Sequence, residues 1–180
     1  MRRLVLIGGL LAAGLYVWSR TQRGQVAAVD AVEFVDVTAQ RIADDIWRVT
    51  VGLRNRNPGN IDFISNPLKR WRGMKSQPGE GGRFAEFDSD ANGVRAIARE
   101  LKLEEGRGAR TVAQQIEVWA PPAENNTAAY AKAVAKALGV NVNDVIRLND
   151  HLAGFVGAII KHENGVQPYS AEELETWVNA

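Results

Sequence analysis

From residue 89 onward, apolar positions recur with a helical period. Ser89 or Asp90 is placed to cap a helix whose Val94, Ile97 and Leu101 share one face, with Arg95, Arg99 and Lys102 outside. Thr111 opens a second helix carrying Val112, Ile116 and Trp119, stopped by Pro121 and Pro122. Asn126 or Thr127 opens a third that buries Tyr130, Val134 and Leu138 and ends at Gly139, a residue free to turn left-handed. A short helix near 144–148 and a longer one from about Asp150 to Glu163 follow. Ser170 opens the last, with Glu173 completing a capping box. Upstream the period disappears. Residues 54–87 are rich in Gly, Pro, Asn and Ser, which predicts loops with one short strand at RFAEF, 83–87. Residues 24–52 alternate apolar stretches (VEFVDV, DIWRVTV) with acids and read as a connecting segment, strand or helix. No repeat or low-complexity tract interrupts the chain, so the expected fold class is mainly α, with a loop-rich segment and small strand content, in a domain spanning 53–180.

The first 23 residues differ from everything after them. MRR precedes LVLIGGLLAAGLYVW (4–18), which carries no charge, and SRTQRG follows. This is a membrane-seeking pattern, although roughly 22 Å of helix falls short of a ~30 Å hydrocarbon core. A cleaved secretory signal starts the same way. Arg20 and Arg23 occupy the place where a signal carries small uncharged residues, which favours an uncleaved transmembrane anchor over 1–23 and a lipid membrane as a partner through 4–18. Positive charge is nearly balanced across the segment, so orientation is not determined.

Composition narrows the chemistry. At 180 residues and 46% hydrophobic content, one sizeable core is affordable but two large domains are not. A net charge of +1 points to no polyanionic partner, although KRWRG (69–73) with Arg54, Arg56 and Arg83 forms a local basic, aromatic-interleaved patch. Without a recognised nucleic-acid module, no nucleic-acid partner is expected. The absence of cysteine removes disulfides and thiolate nucleophiles, and two histidines, His151 and His162, make a His-rich metal site implausible. No EF-hand loop is present, and no metal or cofactor is expected.

The most informative residue is a carboxylate where an apolar side chain is due. Leu152, Val156, Ile159 and Glu163 form one helical stripe, widened by Phe155. Glu163 thus continues the buried face, and it lies in the last turn, where the carbonyl ends already carry partial negative charge. Both effects favour the neutral acid, the form a general acid needs when it protonates a leaving glycosidic oxygen. A final-turn glutamate pointing into solvent is the plainer alternative. His162 lies 100° around the helix, as a surface or cleft-wall residue.

The run GAIIKHENGVQPYS (157–170) resembles the catalytic-helix motif of the lysozyme-like superfamily, seen in goose-type lysozymes and soluble lytic transglycosylases. On that match Glu163 takes the place of the catalytic acid and Asn164 that of the small polar residue beside it. A longer resemblance, through RNRNPGNI (54–61), WRG (71–73), FAEFDSDANGVRAIARELK (84–102), TVAQQIEVWAPPAENNTAAYAKAV (111–134) and HENGVQPYS (162–170), is to phage and prophage virion proteins regarded as lysozyme-like peptidoglycan hydrolases. Arg56 departs from the first motif, where Asn is expected. In related glucosaminidases the Glu helix precedes the Asn-Pro-Gly-type loop, the W-x-G turn and the F-D-S stretch. Here it follows them, as a circular permutation would arrange, and that requires Asn57-Pro58-Gly59-Asn60 to lie beside Glu163.

The resemblance implies a peptidoglycan glycosidase, lytic transglycosylase or muramidase, anchored in a phage particle or the host envelope, with glycan strands and other virion proteins as partners. The expected substrate-binding residues are Asn55, Asn57, Asn60, Trp71, Asn164 and Tyr169. Asn amides suit glycan hydroxyl and acetamido groups, but they also suit a loop held by its own hydrogen bonds. Trp71 and Trp119 suit either sugar stacking or core, Trp119 the latter. Glu80 and Glu86 are the candidates for a second carboxylate, with Glu86 preferred for its place on a strand. Glu124 suits the N-terminal end of the following helix. A virion structural protein that keeps the fold without the activity is the alternative from another class.

Overall fold

The computed structural model of the protein describes residues 50–123 and 125–180, all within one compact unit. The expected anchor over 4–18, the connecting segment up to residue 49 and the helix-start role of Glu124 lie outside the described residues. No helix among the described residues is long and apolar enough to cross a membrane. The expectation of a helical domain preceded by a transmembrane helix is therefore corrected to a mainly helical fold with few strands.

Thr50 caps a single turn, α1 (Val51–Arg54), by accepting a hydrogen bond from the Leu53 amide. A loop follows, then a 3-10 turn at Pro67–Lys69 capped by Asn66. Strand β1 (Met74–Pro78) pairs antiparallel with β2 (Ala85–Phe87), Met74 opposite Phe87 and Pro78 opposite Ala85. Five residues thus face three, which requires a bulge in β1. The strand expected at 83–87 is present. The sequence reading missed β1, whose Lys75, Ser76 and Gln77 are all exposed and leave no alternating apolar signal.

The helices follow their caps. Ser89 caps α2 (Asp90–Gly106), a Thr111–Gln114 capping box opens α3 (Val112–Trp119), and Asn126 caps α4 (Thr127–Leu138), which ends at left-handed Gly139. The short helix expected near 144–148 does not form. Asn141 and Asp144 make a turn, Val145 bridges Thr111, and the Ile146 amide donates to Arg110 O at 3.0 Å, so strand-like pairing takes up the backbone groups. Helix α5 (Leu148–Asn164) begins two residues before Asp150, because Glu105 Oε1 reaches in from α2 to accept from the Leu148 amide. Helix α6 (Ala171–Val178) opens at the Ser170–Glu173 capping box.

The main core joins α2 through α6, with Val94, Ile97, Leu101, Ile116, Val134, Leu152, Phe155, Val156, Ile159 and Ile160 shielded from water. A smaller cluster of Met74, Ala85, Phe87 and Ala96 seats the sheet against α2. Two glycines allow the loop after α1 to close on these helices. A Cβ on Gly93 would lie 1.9 Å from Arg56 O, and one on Gly52 would lie 2.6 Å from Asn60 Oδ1.

Candidate active site

The loop between α1 and the sheet is built by asparagine amides. Asn57 is fully buried, accepts from the Ile61 amide at 2.9 Å and donates to Ile61 O at 2.8 Å and Ala85 O at 2.9 Å. Both N–H donors are thereby occupied. Asn55, also buried, exchanges hydrogen bonds with the Glu80 backbone. Arg56 has a φ of 51° and Asn60 one of 52°, in the left-handed region that Asn tolerates better than Arg. Arg56 spends its guanidinium on Asp88 O at 2.7 Å.

Asn164 fastens this loop to the end of α5. Its Oδ1 accepts from the Thr50 hydroxyl at 2.7 Å, and its Nδ2 donates to Pro58 O at 2.7 Å and Ile160 O at 2.8 Å. The arrangement sets Asn60 beside Glu163, with Nδ2 donating to Glu163 Oε2 at 3.0 Å. The juxtaposition required by the permuted order of the motifs is therefore present. On the other side the Tyr130 hydroxyl donates to Glu163 Oε1 at 2.9 Å. Burial, then the charge of Glu163, push the Tyr130 phenol far above its usual range, so it remains a donor. His162 stacks on the outer face of the Tyr130 ring, with centroids 3.5 Å apart and planes 15° apart.

Glu163, half-buried, forms part of the wall of a cavity of about 550 Å³, within the range of small-molecule sites. One side of the cavity comes from the loop and sheet, including Asn60, Trp71 and Phe84, and the other from α2 and α3, including Glu100, Glu104, Gln115 and Trp119. Trp71 and Trp119 both pack against a core cluster and border the cavity, so the choice between sugar stacking and core does not divide them.

Of the expected site residues, the structure brings together Glu163, Asn60 and Trp71 around this cavity. It places the others elsewhere. Asn55 and Asn57 build the loop, and Asn164 pins it. Tyr169 is buried on the α6 side, where its hydroxyl donates to Asp90 Oδ1 at 3.4 Å and its ring meets Trp177 edge-on. Glu86 pairs with Lys75 across the sheet, and Glu80 is held in a two-pronged pair with Arg54 at 2.7 Å, both outside the cavity wall. The sequence reading overlooked Tyr130 as a polar participant, and Glu100, Glu104 and Gln115 altogether. A signal existed: Val94, Ile97, Leu101 and Glu104 form a stripe at spacings of three, four and three, ending in a carboxylate as the Glu163 stripe does.

Among the described residues, no group of three or more His, Cys, Asp or Glu side chains is arranged to hold a metal ion. The chain as a whole matches no family model. It is 35% identical over 126 residues to Protein P5 of Pseudoalteromonas phage PM2, an alignment covering 69% of this chain and 77% of that protein.

Proposed function

The chain belongs to the family of the phage protein P5, and from that premise we propose that it is a virion protein that opens the cell wall locally during genome entry. The reaction is cleavage of the β-1,4 bond between N-acetylmuramic acid and N-acetylglucosamine in a lysozyme-like cleft. The observation that carries this reading is Glu163, half-buried at a cavity wall and gripped on both oxygens by Asn60 and Tyr130.

In the reaction, the Glu163 carboxyl gives its proton to the glycosidic oxygen as the bond to the anomeric carbon breaks and the bonding pair leaves with that oxygen. The electron-poor carbon is then captured by water or by the sugar's own hydroxyl, which returns a proton to the site. Asn60 and Tyr130 hold the carboxyl in one orientation, so no search over rotamers precedes proton transfer. Trp71, Trp119 and Phe84 supply apolar surface for sugar faces.

The test uses purified sacculi. The unaltered chain should release soluble muropeptides, and Glu163→Gln, which keeps shape but removes the proton, should lower the rate by about 100-fold or more. Equal release by both proteins would remove Glu163 from the chemistry. Release by neither would leave a virion protein without this activity. Product masses separate anhydro ends, formed by transglycosylation, from reducing ends formed by hydrolysis.

A further inference from the structure

The buried Tyr130 phenol has one proton to give and an oxygen that also accepts. It donates to Glu163 Oε1 at 2.9 Å, and its oxygen is met by the Trp119 side chain, a hydrogen-bond contact that opposes the upward push of burial and of Glu163 on the phenol. An indole has an N–H and no acceptor, so the direction of the chain is fixed: Trp119 Nε1–H donates to the hydroxyl oxygen, and the hydroxyl proton is left for Glu163. A hydroxyl that accepts one hydrogen bond is a stronger donor in the next, most of all away from water.

The fold sets the two rings with little freedom. Trp119 is the last residue of α3, Tyr130 lies at the start of α4, and the corner between them is closed by the Thr127 hydroxyl, which donates to Ala120 O at 2.6 Å. The same edge of the indole meets the loop. A Cβ on Gly59 would lie 3.0 Å from Trp119 Cζ2, the ring carbon next to the one that bears Nε1, so the residue before Asn60 rests against the ring. Trp119 thus touches both supports of the carboxyl, Tyr130 on Oε1 and the segment carrying Asn60 on Oε2, and it also borders the cavity.

We propose that Trp119 is a positioning residue for the acid: its N–H orients the Tyr130 hydroxyl and, through it, the Glu163 carboxyl, in addition to any surface it offers a sugar. The inference rests on the glycosidase reading of the same cavity. A sugar platform alone sets KM, whereas a residue that aligns the proton donor sets turnover.

Rates on purified sacculi compare Trp119→Phe, Tyr130→Phe and the double variant, each in the full chain. Trp119→Phe keeps an aromatic face and removes the donor, so turnover should fall about fivefold, the worth of one neutral hydrogen bond. Added to Tyr130→Phe, where no hydroxyl remains to be oriented, it should lower turnover no further. A packing defect would act in both backgrounds. If the smaller ring loosens the core, as a lower melting temperature would reveal, the benzothienyl analogue of tryptophan at position 119 puts sulfur in place of the N–H at nearly constant shape and carries the same two expectations. A rise in KM at unchanged turnover, or equal losses of turnover in both backgrounds, overturns the positioning role and leaves Glu163 as the acid. Glu163→Gln cleaving as well as the parent, or a parent that cleaves nothing, overturns the glycosidase reading and this role with it.

Discussion

At the scale of single residues, the site depends on how one carboxyl group is held. The Tyr130 hydroxyl bonds to Glu163 Oε1, while the ring is fixed by the core and by His162 stacked on it. Tyr130→Phe removes the donor and leaves the packing, so turnover on sacculi should fall about tenfold with KM nearly constant, as loss of a charge-assisted hydrogen bond implies. A KM effect with unchanged turnover would make Tyr130 a substrate contact instead. Glu100 supplies a pH test. Burial, then neighbouring Glu104, push its carboxyl above the usual range, with Arg107 opposing. A carboxyl whose folded value is raised binds more protons folded than unfolded, so stability declines as pH climbs from the unfolded value through the folded one. Glu100→Gln should therefore match the parent at about pH 3 and melt higher at about pH 8. A lower melting temperature at the higher pH would mean that Glu100 stabilises the fold. Arg56 stands where the first motif expects Asn. The expected Asn suits a left-handed backbone, whereas Arg accepts that strain and gains a bond to Asp88 O.

At the scale of elements, the helices were legible because their signals are local. Thr111 and Ser170 each accept an amide hydrogen bond at the first turn they were expected to cap, and Ser89 and Asn126 do so where Asp90 and Thr127 were the alternatives. Thr111→Ala, which dismantles the capping box of α3, should cost about 1 kcal/mol in denaturant titration, with the slope unchanged. Helix α5 is the exception, since its first amide is satisfied by Glu105, 43 residues earlier in the chain. No window around Leu148 contains that information. Strand β1 was equally illegible, being an exposed polar run recruited by β2 and by the small cluster beneath it. The contact between α2 and the loop is closer than side chains permit. Gly93→Ala should destabilise the protein by about 3 kcal/mol, because the new methyl group would overlap Arg56 O on the backbone, which cannot rotate away.

At the scale of the whole molecule, the cavity lies between two parts assembled in different ways: a helical body held by one apolar core, and a loop-and-sheet segment held largely by Asn57, Asn55 and Asn164. A ligand that touches both parts stabilises the folded state by mass action. Oligomers of N-acetylglucosamine at about 100 times Kd should thus add ~2.7 kcal/mol of stability, and an unshifted melting temperature under saturation would argue against a glycan cleft. Periodicity and capping chemistry determined the starts of α2, α3, α4 and α6 and the stripe that carries Glu163, because each depends on residues within a turn or two. The relation to a phage protein is likewise a property of the sequence, spread over 126 aligned residues. Tertiary structure alone decided which asparagines work as scaffold and which, Asn60, reaches the carboxyl, since an amide shows its role only through its partners, and Glu163 lies 103 residues from Asn60. It also decided that Glu100 and Gln115 share the wall with Glu163, because a cavity is bounded by surfaces from separate elements and no single stretch of sequence encodes the space between them.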